Sequence, residues 1–235
     1  WPEHAVAKVV RFSSNAPASD DEWGLGFHQD KLMLMQGAEP WLAIDELNMA
    51  GEHHYVNALS ALAMGQALGL AAEPMCQALR KFKGLPHRSE LIASINGVTW
   101  VNDTKGTNVG ATLAAINGIG ATLEGRLILL AGGGGKGADF SPLAQPLSTC
   151  ARHVLLFGLD APRLADALIE HVSIQQVEDM TQAMQLAFEL AQPGDCVPLS
   201  PACASLDQFA NYQERGEVFR RWVLRTAQQA AGAAS

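Results

Sequence analysis

The chain has 235 residues, 48% of them hydrophobic and 17% charged, with a formal net charge of -8. This composition suits one large or two modest globular domains, since domains usually hold ~100–150 residues. An acidic balance argues against a nucleic-acid module, which would need a basic surface, and no apolar run approaches the ~20 residues of a membrane span.

No charged-then-apolar leader precedes a cleavage site, so the expected compartment is cytoplasmic. The chain opens Trp1-Pro2-Glu3 without an initiator methionine and reads as a piece of a longer protein. The four cysteines (Cys76, Cys150, Cys196, Cys203) form no C-x-x-C pair, which makes zinc and disulfide frameworks poor explanations. An anionic ligand would have to be held by a few placed cations or by helix N-termini.

Residues 5–12 alternate as a strand would, and 13–22 read as a polar loop. Strands are predicted at 24–27 and 31–36, with a third at 41–44. The Ala- and Leu-rich run 57–70 predicts a helix ending at Gly69, and a second helix spans about 73–82. Gly84-Leu85-Pro86 then breaks the pattern and marks a domain boundary.

Beyond it, strands 91–95 and 98–101 flank Asn96-Gly97, a strong hairpin signal. Helices near 109–117, 141–149, 161–170, 180–191 and 211–229 alternate with strands 126–131, 153–157, 173–177 and 196–199, and the Ala-rich tail 230–235 is expected to fray. Strands alternating with helices predict an α/β, Rossmann-like, doubly wound domain with a mostly parallel sheet.

Four segments at predicted strand ends or joints can carry chemistry. Gly132–Gly137 with Lys136 is not a Walker A loop, because its first glycine would fall at Leu130 and Gly137 stands where Ser or Thr is required. It does match G-x-G-x-x-G at Gly132, Gly134 and Gly137, and Asp160 lies near where a ribose-binding acid would stand. An NAD(P)-dependent oxidoreductase therefore stays open. Against it, Ser141-Pro142 reads as an N-cap and first helical residue, so the helix starts too late for a dinucleotide turn. A tight structural turn and a flexible loop offering Lys136 to an anion are the other readings.

Residues 102–108 (Asn-Asp-Thr-Lys-Gly-Thr-Asn) form a polar loop leading into a helix that Thr107 or Asn108 can cap. Asp103, Lys105 and a helix N-terminus together suit a hydroxyl pair and an anion, or a plain surface ion pair. Leu85-Pro86-His87-Arg88 places an imidazole and a guanidinium at the joint between domains. Residues 200–209 (Ser-Pro-Ala-Cys-Ala-Ser-Leu-Asp-Gln-Phe) offer hydroxyls and N–H groups to a carboxylate, and Cys203 lacks the signature of an activated nucleophile.

Read in order, GEHHYVNAL (51–59), GLPHR (84–88), VNDTKGTNVGAT (101–112), GGGGKG (132–137) and SPACASLDQFANYQERG (200–216) resemble the Mur ligases, over about 40–226. The last motif is most similar to the branch that adds D-glutamate. The resemblance implies that 1–84 is the C-terminal part of a central ATP-binding α/β domain, incomplete here, and that 85–235 is the D-glutamate-binding C-terminal domain. It implies Asn57 at adenine, His54 beside it, and Arg88 and Asp103 at the nucleotide, with Asp103 at the ribose. It places Lys105, Thr107, Lys136, Ser205, Leu206 and Tyr212 around D-glutamate.

The implied reaction is ATP-dependent. UDP-N-acetylmuramoyl-L-alanine becomes an acyl phosphate, and the amine of D-glutamate attacks it, in peptidoglycan synthesis. The family's phosphate-binding loop, Mg2+ ligands and carbamylated lysine would lie upstream of residue 1, so no catalytic or metal-ligating residue is assigned and the fragment alone is expected to be inactive. Three positions depart from the family pattern: His54 stands for Asn, Gly134 for an acidic residue, and Tyr212 for Phe. A non-catalytic binding module built on the same fold is the other alternative.

Overall fold

The computed structural model describes residues 9–48, 51–121 and 123–233. The chain divides into two compact units, residues 1–84 and 85–235.

In the first unit, β1 (Trp23–His28), β2 (Lys31–Gln36) and β3 (Glu39–Ala43) form an antiparallel meander. Helices α1 (Glu52–Ala67) and α2 (Ala72–Lys81) follow. Trp23, Leu34 and Leu42 from the sheet meet Ala58, Leu59, Leu62 and Ala63 of α1 and Cys76 of α2 in one core. Helix α1 begins well before Asn57, because its first turn is the polar Glu52-His53-His54 and carries no apolar periodicity to read. Of the strand expected at 5–12, residues 1–8 lie outside the described residues. The remainder forms only a bridge from Phe12 to Trp23.

The second unit holds β4 (Glu90–Ile95), β5 (Val98–Asn102), β6 (Leu127–Gly132), β7 (Ala151–Phe157), β8 (Ile174–Gln176) and β9 (Cys196–Leu199). Their order in the sheet is β4-β5-β9-β6-β7-β8, and only the β4–β5 pair is antiparallel. Asn96 and Gly97 both take positive φ (53° and 79°), as a two-residue hairpin of the twisted kind requires. Strand β6 (Leu-Ile-Leu-Leu-Ala-Gly) is buried along its whole length, the signature of a central parallel strand covered on both faces.

Helices α3 (Val109–Gly120), α4 (Ala144–Cys150) and α5 (Ala161–Leu168) cover one face, where Ile116, Leu147 and Leu164 pack on Leu127, Leu129 and Val154. Helices α6 (Met180–Leu190) and α7 (Tyr212–Ala233) cover the other, where Met184, Phe219 and Val223 pack on Trp100, Ile128, Leu130 and Leu155. The doubly wound expectation is met.

Two local expectations are corrected. Ser141 is the first residue of a short 3-10 turn (Ser141–Leu143) whose N-cap is Phe140, and Asp139 accepts from the Ser141 backbone N–H (3.0 Å) and hydroxyl (2.9 Å). The tail stays helical through Ala233 despite Gly232, since Ala230, Ala231 and Ala233 around it are the strongest of helix formers; residues 234–235 lie outside the described residues.

Candidate functional site

The winding of the sheet fixes where a site can form. From β5 and β6 the chain leaves toward α3 and α4 on one face, whereas from β9, lying between them, it leaves toward α7 on the other. Such a divergence opens a crevice at the C-terminal ends of the strands, where open α/β sheets bind ligands. The loops 102–108, 132–137, 158–160 and 200–209 all emerge at this edge.

The 102–108 loop is tied down by its own polar residues. Asn102 is fully buried; its amide donates to His87 Nδ1 (3.0 Å) and to the Gly216 carbonyl (3.3 Å), and its carbonyl accepts from Thr104 N–H (3.2 Å). Asp103 Oδ1 accepts from Ser89 N–H (3.0 Å), and Oδ2 from the Ser200 hydroxyl (2.6 Å). Lys105 N–H donates to His87 O (3.0 Å), and Thr107 N–H to Lys105 O (2.8 Å), a tight turn that sets both side chains. Asn108 caps α3, accepting from Ala111 N–H (2.9 Å). Beneath the loop, the buried Thr112 hydroxyl accepts from Ala202 N–H (2.9 Å) and donates to Ser200 O (3.3 Å), and so joins the 102–108 and 200–209 loops.

The glycine run behaves unlike a nucleotide-binding turn. Gly132 N–H donates to Pro201 O (2.9 Å), Gly133 N–H to Phe157 O (3.1 Å) and Gly134 N–H to Ala204 O (3.0 Å). Gly135 N–H donates to Asp160 Oδ2 (2.5 Å). These amides are spent inside the protein, and a dinucleotide or phosphate turn needs them free. Gly132 and Gly133 are glycines for a packing reason: at φ 138° and 121° only glycine is comfortable, and a Cβ would strike the Phe157 and Ala204 carbonyls. Asp160, the candidate ribose acid, is occupied by Gly135 and by Arg163 (3.4 Å). What the run offers outward is the exposed Lys136, held at φ 51°.

On the third loop, Ser205 is 3% exposed and Leu206 is 70% exposed. The Lys105 ammonium stands 4.2 Å from the centroid of the Tyr212 ring, a cation–π contact, and His87 meets the same ring edge-on at 6.0 Å. Three residues after Tyr212, Arg215 is fully buried. It donates to Thr104 Oγ1 (2.9 Å), Thr104 O (3.0 Å) and Cys203 O (3.2 Å), while its Nη1 has no partner among the described residues. Burial pulls its pKa down to about 10, against the pull of Cys203 and Asp207. Burial likewise pushes the Cys203 thiol up to about 12, which removes it as a nucleophile.

Hydrogen bonds therefore join the loops carrying Lys105, Thr107, Lys136 and Ser205 at one edge, with Tyr212 against Lys105. Arg88 is exposed, its N–H donating to Leu85 O (3.2 Å). Asn57 (exposed) and His54 (half-buried) lie on α1, in the other unit. Sequence reading gave no role to Thr112 and Arg215, and named Asn102 and Ser200 only as members of their loops. For Arg215 a signal existed: it precedes Phe219 by four residues and Val223 by eight, and so continues the buried stripe of α7.

A doubly wound α/β domain is what the comparisons match. Residues 87–203 fit the model of the Mur ligase glutamate ligase domain, and the chain belongs to the Mur ligase family. It is 55% identical over 223 residues to UDP-N-acetylmuramoylalanine–D-glutamate ligase of Chromohalobacter salexigens, covering 95% of this chain and 49% of that protein. The same enzyme of Nitrosococcus oceani is 51% identical over 214 residues, covering 91% of this chain and 47% of that protein. The chain thus spans about half the length of the curated relatives it matches. Among solved structures, UDP-N-acetylmuramate-alanine ligase of Thermotoga maritima superposes with a TM-score of 0.65 at 16% identity, over 88% of this chain and 46% of that one. MurF of Acinetobacter baumannii does so with 0.65 at 17% identity, over 91% and 46%. These two share the fold.

Proposed function

We propose that this chain is the acceptor-binding part of an ATP-dependent ligase that joins D-glutamate to UDP-N-acetylmuramoyl-L-alanine, a cytoplasmic step of peptidoglycan synthesis. The observation that carries the proposal is the convergence of Lys105, Lys136, Thr107 and Ser205 on hydrogen-bonded loops at one strand edge, in a chain so similar to relatives of that name.

The chemistry asks for those residue types. An acyl phosphate on the alanyl carboxylate is attacked by the neutral amine of D-glutamate; the C–N bond forms as phosphate leaves, and the amine gives up a proton. The acceptor carries two carboxylates that must be held while its amine stays free. Lysine ammoniums pair with the carboxylates and hydroxyls donate to them, and such positioning supplies up to ~7–11 kcal/mol of a barrier in favourable systems. In this proposal Leu206 and Tyr212 wall the aliphatic part of the acceptor.

Asp103, Arg88, Asn57 and His54 are the proposed nucleotide residues. In this proposal Asp103, which Ser89 and Ser200 hold in place, accepts from a ribose hydroxyl. Mg2+ enters the proposal with the ATP phosphates. Among the described residues no three His, Cys, Asp or Glu side chains cluster to hold a metal, so these residues do not fit a metal centre and no step is assigned to one.

The test is a titration of the 15N-labelled chain with D-glutamate, repeated with Lys136→Ala. Shifts at Thr107, Lys136 and Ser205 that vanish in the variant are the expected result. A wild-type spectrum indifferent to D-glutamate overturns the acceptor assignment.

A further inference from the structure

Asp160 stands out from the sequence as a possible ligand-binding acid, and the proposed reaction gives it nothing to bind. Its geometry shows a different employment. The turn after β7 and the first turn of α5 reach across to the glycine loop on both sides of Lys136. On the N-terminal side, Asp160 Oδ2 accepts from Gly135 N–H (2.5 Å), and Asp160 N–H donates to Gly133 O (3.0 Å). On the C-terminal side, Arg163 Nη2 donates to Ala138 O (3.0 Å). Arg163 Nη1 and Asp160 Oδ1 pair at 3.4 Å, and the guanidinium lies 5.6 Å from the Phe140 ring centroid. The same turn also holds the third loop: Leu159 N–H donates to Asp207 Oδ2 (2.9 Å), two residues past Ser205.

We propose that Asp160 and Arg163 are positioning residues for Lys136, fixing the lysine of the acceptor grip in place from both flanks and, through Leu159 and Asp207, setting it relative to Ser205. The proposal rests on the reading of Lys136 as a carboxylate clamp. Three physical points support it. Lys136 sits at φ 51°, which a non-glycine residue adopts only where its surroundings impose it. Between the anchored Gly135 and Ala138 only two residues are left, so little of the loop can wander. A bare carboxylate beside an anion site would repel its ligand, and the Arg163 guanidinium offsets that charge. Gly135 fits the same device: a Cβ there would press on the Phe140 ring and approach Asp160 Oδ2.

The experiment uses the whole 235-residue chain as wild type, Asp160→Ala, Asp160→Asn and Arg163→Met. Amide exchange at Gly135 and Lys136 and the D-glutamate Kd are measured by NMR, with thermal melts as the folding control. Asp160→Ala is expected to speed exchange at Gly135 and Lys136 and to raise the Kd about tenfold, the scale of one charge-assisted hydrogen bond. Asp160→Asn keeps an acceptor oxygen and should recover most of the affinity. Arg163→Met, at a half-exposed position that tolerates change, should weaken binding by leaving the Asp160 charge uncovered.

A role confined to stability would lower the melting temperature of Asp160→Ala while exchange at Gly135 and the Kd stayed at wild-type values, and that result overturns the proposal. So does equal loss in Asp160→Ala and Asp160→Asn. If Asp160→Ala fails to fold, Asp160→Asn and Arg163→Met decide the matter: wild-type exchange and Kd in both reject the proposal. If wild type shows no D-glutamate shifts, the substrate assignment falls, and the exchange measurements still decide whether the α5 turn orders the lysine loop.

Discussion

Replacing Thr112 with valine removes a hydroxyl while keeping shape and volume, so the loss reports hydrogen bonding alone. Thr112 is fully buried on the first turn of α3, where its Oγ1 accepts from Ala202 N–H (2.9 Å) and donates to Ser200 O (3.3 Å). Ala202 N–H keeps a substitute acceptor in Gly106 O (2.9 Å), and the Ser200 hydroxyl already gives its one proton to Asp103 Oδ2 (2.6 Å). The cost is therefore that of two net bonds without an orphaned donor, about 1–2 kcal/mol. For a domain of this size that is a fall of about 3–6 °C in Tm. A functional consequence accompanies the stability one, because the lost hydroxyl couples the loop of Lys105 and Thr107 to the loop of Ser205. D-glutamate affinity should fall several-fold, with amide shifts at Gly106, Ser200 and Ala202 and few elsewhere. Differential scanning calorimetry and the NMR titration measure the two quantities. Thr112→Ser, which keeps the hydroxyl, is the control. If serine loses as much affinity as valine, or if valine leaves Gly106 and Ala202 unmoved, the coupling role is refuted.

Three further outcomes follow from particular residues. Asp195, whose side chain is fully buried, accepts from Arg152 (2.8 and 3.1 Å), Arg126 N–H (2.8 Å) and Gln192 N–H (2.9 Å) at the N-terminal edge of the sheet. Burial alone would raise its pKa, but the Arg152 guanidinium and those amides outweigh it and hold the carboxyl below the usual carboxylate range. Asp195→Asn should cost about 3–5 kcal/mol in urea denaturation at neutral pH. Because the folded pKa is the lower one, that difference is fully present above the unfolded pKa of about 3.9 and shrinks as pH falls below it; D-glutamate binding, at the opposite edge, should be untouched. Tyr212→Phe keeps the ring under Lys105 and should bind D-glutamate as wild type does, whereas Tyr212→Ala should lose about 0.5–1 kcal/mol, a two- to fivefold rise in Kd. Cys196 and Cys203, whose thiols burial lifts to about 12, should resist Ellman's reagent in the native chain and react once it is unfolded in urea.

What the sequence disclosed and what it concealed divide along a physical line. Periodicity and turn chemistry are local, so β6, the Asn96-Gly97 hairpin and the alternation of strands and helices were legible without coordinates. Their alternation placed the polar loops at strand ends, and that placement already implied one edge. Where amides and carboxylates are satisfied is a tertiary matter. The G-x-G-x-x-G pattern describes where glycines stand, and only the neighbours Phe157, Pro201, Ala204 and Asp160 reveal that their N–H groups are taken. The same holds for Lys105 against Tyr212, which lie 107 residues apart in the chain. The polar first turn of α1 and the bonds from Ser141 back to Asp139 were missed for a smaller reason: both are set by residues that periodicity does not weigh.

The two kinds of recognition proposed for this chain have different structural footings. The hydrogen bonds described above for the acceptor loops, from the His87–Asn102 and Asn102–Gly216 contacts to the ties from Asp160 and Asp207, are made among residues 87–216. That stretch lies wholly inside the unit 85–235, which has hydrophobic cores on both faces of its own sheet. The posture of Lys105, Lys136 and Ser205 is therefore a property of that unit, set before any ligand arrives. The proposed nucleotide residues are divided, with Asn57 and His54 on α1 of one unit and Arg88 and Asp103 in the other. A grip built from bonds within one unit can be preorganised, and preorganisation is what holds an amine in line for attack.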